Sequence, residues 1–339
     1  MKVLVTGGTG YIGSHTCIEL IQQGHQVVVA DNLSNSNPVV LDRIQTIAGQ
    51  RPEFYELDVC DDAAVDTLFH KEQFDAVIHF AALKAVGESV EQPLRYFQNN
   101  IGGLLTICAA MERYGVNRLI FSSSATVYGV PDHVPVNETA PATRATNPYG
   151  TTKVVGEQIL TSLAEANPEW KITLLRYFNP VGAHPSGLIG EDPKGVPSNL
   201  LPYVAQVAIG KLAQLTVHGN DYPTKDGTCI RDYIHVCDLA SGHVAALNHQ
   251  PQSGAPDVYN LGCGAGYSVL DAIKAFEAAA SKTIPFQVGP RRPGDVAEVV
   301  ADASKAEREL GWKAAKTITE MCADAWRWQS QNPDGFGRP

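Results

Sequence analysis

Lys2-Val-Leu-Val-Thr6 runs directly into Gly7-Gly-Thr-Gly-Tyr-Ile-Gly13, a short β-branched segment ending in a glycine cluster. Residues 14–23 behind it carry a helical pattern. Strand, glycine turn and helix in that order are the context of a dinucleotide fingerprint. Gly7, Gly10 and Gly13 allow a tight turn, close approach of backbone to a pyrophosphate, and close helix packing, with the helix N-terminus facing the phosphate charge. A second apolar run, Val27-Val-Val-Ala30, ends in Asp31, eighteen residues after Gly13. An acid there accepts from a ribose 2′-hydroxyl and repels a 2′-phosphate, which predicts NAD rather than NADP.

The alternation continues outward. Residues 54–57 read as a strand leading to Asp58-Val59, where an adenine edge would be met. Residues 76–80 form another, followed by the small residues Ala81 and Ala82, then Leu83 and Lys84, against which a cofactor could lie. Runs at 118–121 and 172–175 complete six apolar strands separated by helical patterns. Repeated strand–helix units predict an α/β fold with a doubly wound parallel sheet of the Rossmann type, ligands at the carboxyl ends of its strands. A long helix is expected over 93–113, with Leu94, Phe97, Ile101, Leu104, Cys108 and Met111 at spacings of three and four. Either it packs only on its own sheet, or it and the helix from Tyr149 also meet a partner subunit; Asn99 or Asn100 on its polar side could reach the cofactor.

Beyond about residue 177 glycine and proline rise, as in Asn179-Pro-Val-Gly-Ala-His-Pro-Ser-Gly187, and the alternation becomes irregular. This predicts a smaller mixed α/β substrate domain. The expected division is 1–176 for the NAD-binding domain, with part of 233–261 returning to it, and 177–232 plus 262–339 for the second. The second supplies Asn199, Thr216-Val217-His218, Arg231-Asp-Tyr233 and Arg291-Arg-Pro-Gly-Asp295. Arginine forks suit a phosphate, and Asp295 could accept from a ribose hydroxyl.

Composition narrows the class. The chain has 339 residues, 44% of them hydrophobic, enough for a well-buried core. A net charge of -10 argues against nucleic acid or an anionic membrane as partner. The seven cysteines are scattered without a C-x-x-C pair, and the histidines show no ligand spacing, so no metal and no disulfide are expected. The absence of an apolar run long enough for a signal or a span predicts a soluble, cytoplasmic protein.

Tyr149-Gly-Thr-Thr-Lys153 places a phenol and an ammonium one helical turn apart. A Tyr titrates near pH 10, and each unit of depression requires about 1.4 kcal/mol, which Lys153 and an oxidised nicotinamide could together provide. Ser122-Ser-Ser124, at the end of the strand before it, offers Ser124 to hydrogen-bond a substrate hydroxyl beside the phenolate.

With these motifs in place the chain resembles, over essentially its full length, the UDP-glucose 4-epimerases of the extended short-chain dehydrogenase/reductase family. The resemblance rests on residues 5–15, Phe80-Ala-Ala-Leu-Lys-Ala-Val-Gly-Glu-Ser89, the segment 122–129 and Tyr149-x-x-x-Lys153. It continues in Leu175-Arg-Tyr-Phe-Asn-Pro-Val-Gly-Ala-His184, Gly219-Asn-Asp-Tyr-Pro223 and Arg231-Asp-Tyr-Ile-His235. It implies NAD held by Tyr11, Ile12, Asp31, Asn32, Asn35 and Ser36 around the first turn and its acid. Asp58, Val59, Phe80, Ala81, Lys84 and Asn99 would follow, then Lys153 and Phe178. It implies a UDP-hexose held by Ser124, Asn179, Asn199, Thr216 and His218, with Arg231, Arg292 and Asp295. It also implies a homodimer through the two helices above, and a place in galactose metabolism. One departure stands out: where the family often places a Tyr against the sugar, this chain has Val299, which leaves room for a 2-acetamido group. The implied chemistry is oxidation at sugar C4 and return of the hydride to the other face. Two rivals remain. A nucleotide-sugar 4,6-dehydratase would carry Asp-Glu where this chain has Ala125-Thr126, and a non-catalytic NAD-binding sensor would not need Tyr149, Lys153 and Ser124.

Overall fold

The structure is a computed structural model describing residues 1–143, 145–197, 199–252, 254–292 and 294–337. The expected boundary at 339, and Pro293 in the Arg291–Asp295 motif, lie outside those residues. The first half alternates: β1 (Lys2–Thr6), α1 (Tyr11–Gln22), β2 (Gln26–Asp31), α2 (Val39–Ala48), β3 (Glu53–Glu56), α3 (Asp62–Lys71) and β4 (Ala76–His79). Then come α4 (Val86–Glu91), α5 (Pro93–Arg113), β5 (Arg118–Ser124), α6 (Pro148–Ala166) and β6 (Lys171–Tyr177). The second half holds β7 (Asn179–Val181), α7 (Leu200–Ala208), β8 (Leu215–His218), β9 (Ile230–His235), α8 (Val236–Asn248) and β10 (Asp257–Leu261). It closes with β11 (Gly266–Ser268), α9 (Val269–Ala280), β12 (Phe286–Gly289), β13 (Glu298–Val299), α10 (Ser304–Leu310) and α11 (Ile318–Gln331).

Seven strands form one sheet in the order β3-β2-β1-β4-β5-β6-β10, every neighbour parallel. The chain order reverses between β1 and β4, so the crevice outside their carboxyl ends is the switch point where such sheets bind ligands. Both faces are covered. Val3, Val5 and Val29 point to one core with residues of α1, α2 and α8, while Leu4, Val28 and Val77 point to the other with residues of α3, α5 and α6. A strand buried on both faces reads as a continuous apolar run, which is why these strands stood out in the sequence.

The later strands form smaller sheets: β11-β9-β13 with β7 beside β9, and a β12-β8 pair. Their core, built from α7, α9 and α11, is separate. Arg43 of α2 ties it to the large sheet. Its guanidinium lies 5.6 Å from the Trp328 ring and 5.1 Å from the Phe336 ring, and donates to Leu188 O and Asn332 Oδ1 at 2.7 and 2.6 Å. In α5 the expected Leu104, Cys108 and Met111 are buried, Phe97 and Ile101 are half-buried, and Leu94 alone of that stripe is exposed. The spacing of three and four was correct, and the inward face extends to Tyr96, Asn100 and Ile107, which leaves Leu94 and Leu105 outside.

Candidate active site

The site begins at the end of β5. The strand is buried along its whole length, so Ser124, its last residue, emerges at a fixed place. The Ser124 hydroxyl accepts from Thr126 N at 3.3 Å and from Thr126 Oγ1 at 3.0 Å, starting the short turn Ala125–Tyr128. Helix α6 then delivers the phenol. Asn147 caps it, accepting from Gly150 N at 2.8 Å, and Pro148 occupies its first turn. Tyr149 therefore sits in the first turn and Lys153 one turn on. The Tyr149 hydroxyl is hydrogen-bonded to Ser124.

The electrostatics of the protein alone run against the sequence expectation of a phenolate made by Lys153. Burial pushes the Tyr149 phenol up to about 12, with the Ser124 hydrogen bond pulling the other way. Burial pulls the Lys153 ammonium down to about 8, opposed by the charge of Glu157. Lys153 Nζ lies 5.9 Å from the Tyr149 ring centre and donates to Ser122 O at 2.6 Å. The desolvation of both groups outweighs their mutual attraction at that separation.

The cofactor cleft lies at the β1–α1 turn. Gly7 has φ +69°, and a Cβ there would stand 2.8 Å from Ala81 N; at Gly13 it would stand 2.4 Å from Gly7 O. Only glycine allows that crossing of the two strand ends. Gly10 begins α1 with no side-chain cap and no acid in the first turn, which leaves its amide donors for a ligand anion. Asp31 ends β2 and accepts from Thr9 N at 3.1 Å, Leu33 N at 2.9 Å and Ser36 Oγ at 3.1 Å. Asn32 donates to Asp58 Oδ2 at 3.3 Å, so the adenosine-side residues form one rim with the exposed Asn35 and the buried Val59. These donors, the uncapped helix and the acid suit an NAD molecule. Lower in the cleft, Tyr11 donates to Gly182 O at 2.7 Å, Ile12 packs on the core, and Phe80 rests 4.7 Å from His243. Ala81 N approaches Thr6 Oγ1 at 3.3 Å, Ala82 is half-buried, and Phe178 is buried. Asn99 turns to Asn100, which clasps Leu83 N at 2.8 Å and Thr152 Oγ1 at 3.0 Å.

Of the residues expected on the substrate side, Arg231, Arg292 and Asp295 come together. Asp295 lies between the two guanidinium groups, at 3.5 Å from Arg231 Nη2 and 3.2 Å from Arg292 Nε. Val299 pairs in register with Arg231 and packs with Ala125, Val127 and Phe178 beside the Ser124 end of β5. Thr216 and His218 share the half-buried side of β8, whereas the Val217 side chain is turned into the core, leaving only its backbone available. Asn179 and Asn199 are exposed. Asn199 donates to Glu191 at 3.1 Å, and the same carboxylate oxygen pairs with Lys84 at 2.9 Å.

The sequence reading missed Glu191, Thr126, the Ser122 carbonyl, and the buried pair Glu157–Arg176 at 2.6 Å. Glu157 had a visible signal, since it extends the Tyr149, Lys153 spacing by one further turn. The others are joined only by the fold.

The chain is similar to the UDP-glucose 4-epimerase of Bacillus subtilis (strain 168), 60% identical over 336 residues and covering 99% of each chain. It is similar in structure to the UDP-glucose 4-epimerase from Bifidobacterium longum in complex with NAD+ and UDP, with TM-score 0.96, 55% identity, and 99% and 100% of the two chains covered. A third likeness is the UDP-glucose-4-epimerase from Stenotrophomonas maltophila with bound NAD and formylated UDP-arabinopyranose, with TM-score 0.94, 54% identity, and 98% and 99% covered. The model of the NAD dependent epimerase/dehydratase family matches residues 3–262, from the first strand through the seventh of the parallel sheet, and the chain belongs to that family.

Proposed function

We propose that the protein interconverts UDP-galactose and UDP-glucose by transient oxidation at sugar C4 with NAD as cofactor, in galactose metabolism. The observation that carries this reading is the meeting of Tyr149, Ser124 and Lys153 beside Val299, one strand from the Arg231–Asp295–Arg292 cluster. Its relatives' names supply the substrate class.

The glycine turn, the free amides of α1 and Asp31 would hold NAD, which would supply a reversible hydride acceptor for the sugar C4. Tyr149 accepts the proton of the 4-hydroxyl and later gives it back. Ser124 holds the 4-oxygen within reach of that phenol, and Lys153 adds positive charge beneath it. Arg231 and Arg292 hold the diphosphate, and Asp295 takes a ribose hydroxyl. With the grip on the nucleotide, the 4-keto sugar can turn and present its other face to the same point; tight binding of the hexose would forbid this. Dehydration needs a further acid/base pair, and Ala125-Thr126 provide none there.

Val299 leaves space at the sugar, so the proposal extends to the UDP-N-acetylhexosamines. The division into an NAD-binding part, 1–176 with part of 233–261, and a UDP-sugar part, 177–232 and 262–339, is supported by β10 joining the large sheet and by the separate core of α7, α9 and α11. A homodimer is supported by the outward Leu94 and Leu105 of α5 and the half-buried Val155, Ile159 and Leu163 of α6. A cytoplasmic location belongs to the same proposal; among the described residues no helix is long and apolar enough to cross a membrane.

The test is incubation of the purified protein with UDP-galactose and no added NAD. UDP-glucose is the expected product. A 4-keto-6-deoxy sugar would establish the dehydratase, and unchanged substrate in protein shown to retain NAD would leave the sensor.

A further inference from the structure

Tyr149, Lys153 and Glu157 lie one turn apart on the same face of α6. Glu157 is buried and accepts three hydrogen bonds from two side chains. Its Oε1 accepts from Ser123 Oγ at 2.5 Å and Arg176 Nε at 2.9 Å, and its Oε2 accepts from Arg176 Nη2 at 2.6 Å. Arg176 also donates to Tyr128 OH at 3.1 Å, and Tyr128 donates to Asn260 Oδ1 at 2.7 Å. The network thus joins α6, β6, β10 and the turn that follows Ser124.

Stability does not call for an ion pair here, because a volume-matched apolar pair serves a core as well or better. An apolar pair would not give a fixed negative charge one turn below Lys153, nor hold Ser123, the neighbour of Ser124. Lys153 has little else to keep its charge. From β5 it meets the Ser122 carbonyl and the Phe121 ring, at 2.6 and 5.0 Å. From β4 it faces His79, held neutral by burial, while Tyr177 of β6 bonds to Ser122 and Arg176 is taken up by Glu157 and Tyr128. Glu157 is the facing carboxylate that opposes the loss of its proton.

We infer that Glu157, held in place by Arg176, is a positioning residue that keeps Lys153 charged and fixes the Ser123–Ser124 strand end. This deepens the epimerase proposal and rests on its assignment of Tyr149, Lys153 and Ser124.

The variant is Glu157→Gln, which keeps the shape and can keep the Ser123 contact. The first readout is the 13Cε resonance of Lys153 in lysine-labelled protein, assigned by its loss in Lys153→Met and followed against pH without substrate. Its midpoint should fall by about one pH unit. The second readout is turnover of UDP-galactose. Its kcat should drop about twofold at pH 7 and about tenfold at pH 9 relative to wild type, as expected for a one-unit displacement, with KM unchanged. An unmoved midpoint in folded Glu157→Gln, or a loss of kcat equal at all pH, would overturn the inference, since a merely structural residue does that. Should Glu157→Gln fail to fold, Glu157→Gln/Arg176→Met leaves no unpaired buried charge; a lowered midpoint in it supports the inference, and an unmoved one refutes it. The lysine titration needs no turnover, so it is read separately from the wild-type assay that tests the parent reading.

Discussion

At the scale of single residues the central issue is how a phenol pushed up to about 12 can act as a base near neutral pH. Closing that gap takes about 7 kcal/mol. One ammonium at roughly 6 Å gives about 3 kcal/mol at an effective dielectric constant near 20, less than half. Lys153 alone is therefore insufficient; the pull of Ser124 is already contained in that value, so the positive charge of a bound oxidised nicotinamide is needed with it. Tyr149→Phe removes the acceptor without changing the packing. It should keep NAD and UDP binding, measured by calorimetry, while the epimerisation rate falls about a thousandfold or more. Val299 bears on the proposed extension to N-acetylated sugars. Val299→Tyr would add bulk beside Ala125, Val127 and Phe178, against which Val299 packs. Activity on UDP-N-acetylglucosamine should then fall at least about tenfold, with UDP-galactose turnover within about threefold of the parent, compared in parallel rate assays.

Among the elements, the β1–α1 turn leaves no room for a side chain at Gly7 or Gly13. Gly13 carries no positive φ, and its constraint is contact: a Cβ there would lie 2.4 Å from Gly7 O, too close for either backbone to stay. Gly13→Ala should leave a folded sheet by circular dichroism but open the turn. NAD released on heating and counted by absorbance should drop at least about tenfold per protein chain. The glycine spacing was legible in the sequence because the turn imposes it locally. The breadth of the inward face of α5 was less legible, since a stripe of spacing three and four leaves that breadth open, and the side chains of β4, β5 and α6 settle it.

Across the whole molecule, buried histidines set the acid limit. Burial holds His15 and His79 at about 3 and His243 at about 4. Among the described residues the Nε2 atoms of His15 and His243 have no hydrogen-bond partner, so protonation would bury an unpaired donor. The unfolded chain takes up these protons near pH 6.5 and the folded chain does not, so each group removes stability as pH falls from about 6.5, at about 1.4 kcal/mol per pH unit. Asp232, raised to about 6 by burial, binds its proton first in the folded state and offsets one of the three below that pH. The urea midpoint should accordingly decline between pH 6.5 and 5, with unchanged slope against urea, and a flat profile would contradict these environments.

The sequence by itself determined the alternation, the glycine turn, the acid after β2 and the Tyr–Lys stripe. Each is local: a strand buried on both faces, a turn without room for Cβ, and a helical repeat all print their constraint on adjacent residues. Only the tertiary structure decided what those residues meet. Glu157 and Arg176 are joined because α6 packs against β6, Lys84 and Asn199 because both reach Glu191, and Arg231, Asp295 and Val299 because β13 aligns with β9. Such pairings, and the desolvation that moves Tyr149 and Lys153 in opposite directions, come from chain segments brought together by burial. Nothing in the order of residues along the chain encodes that distance.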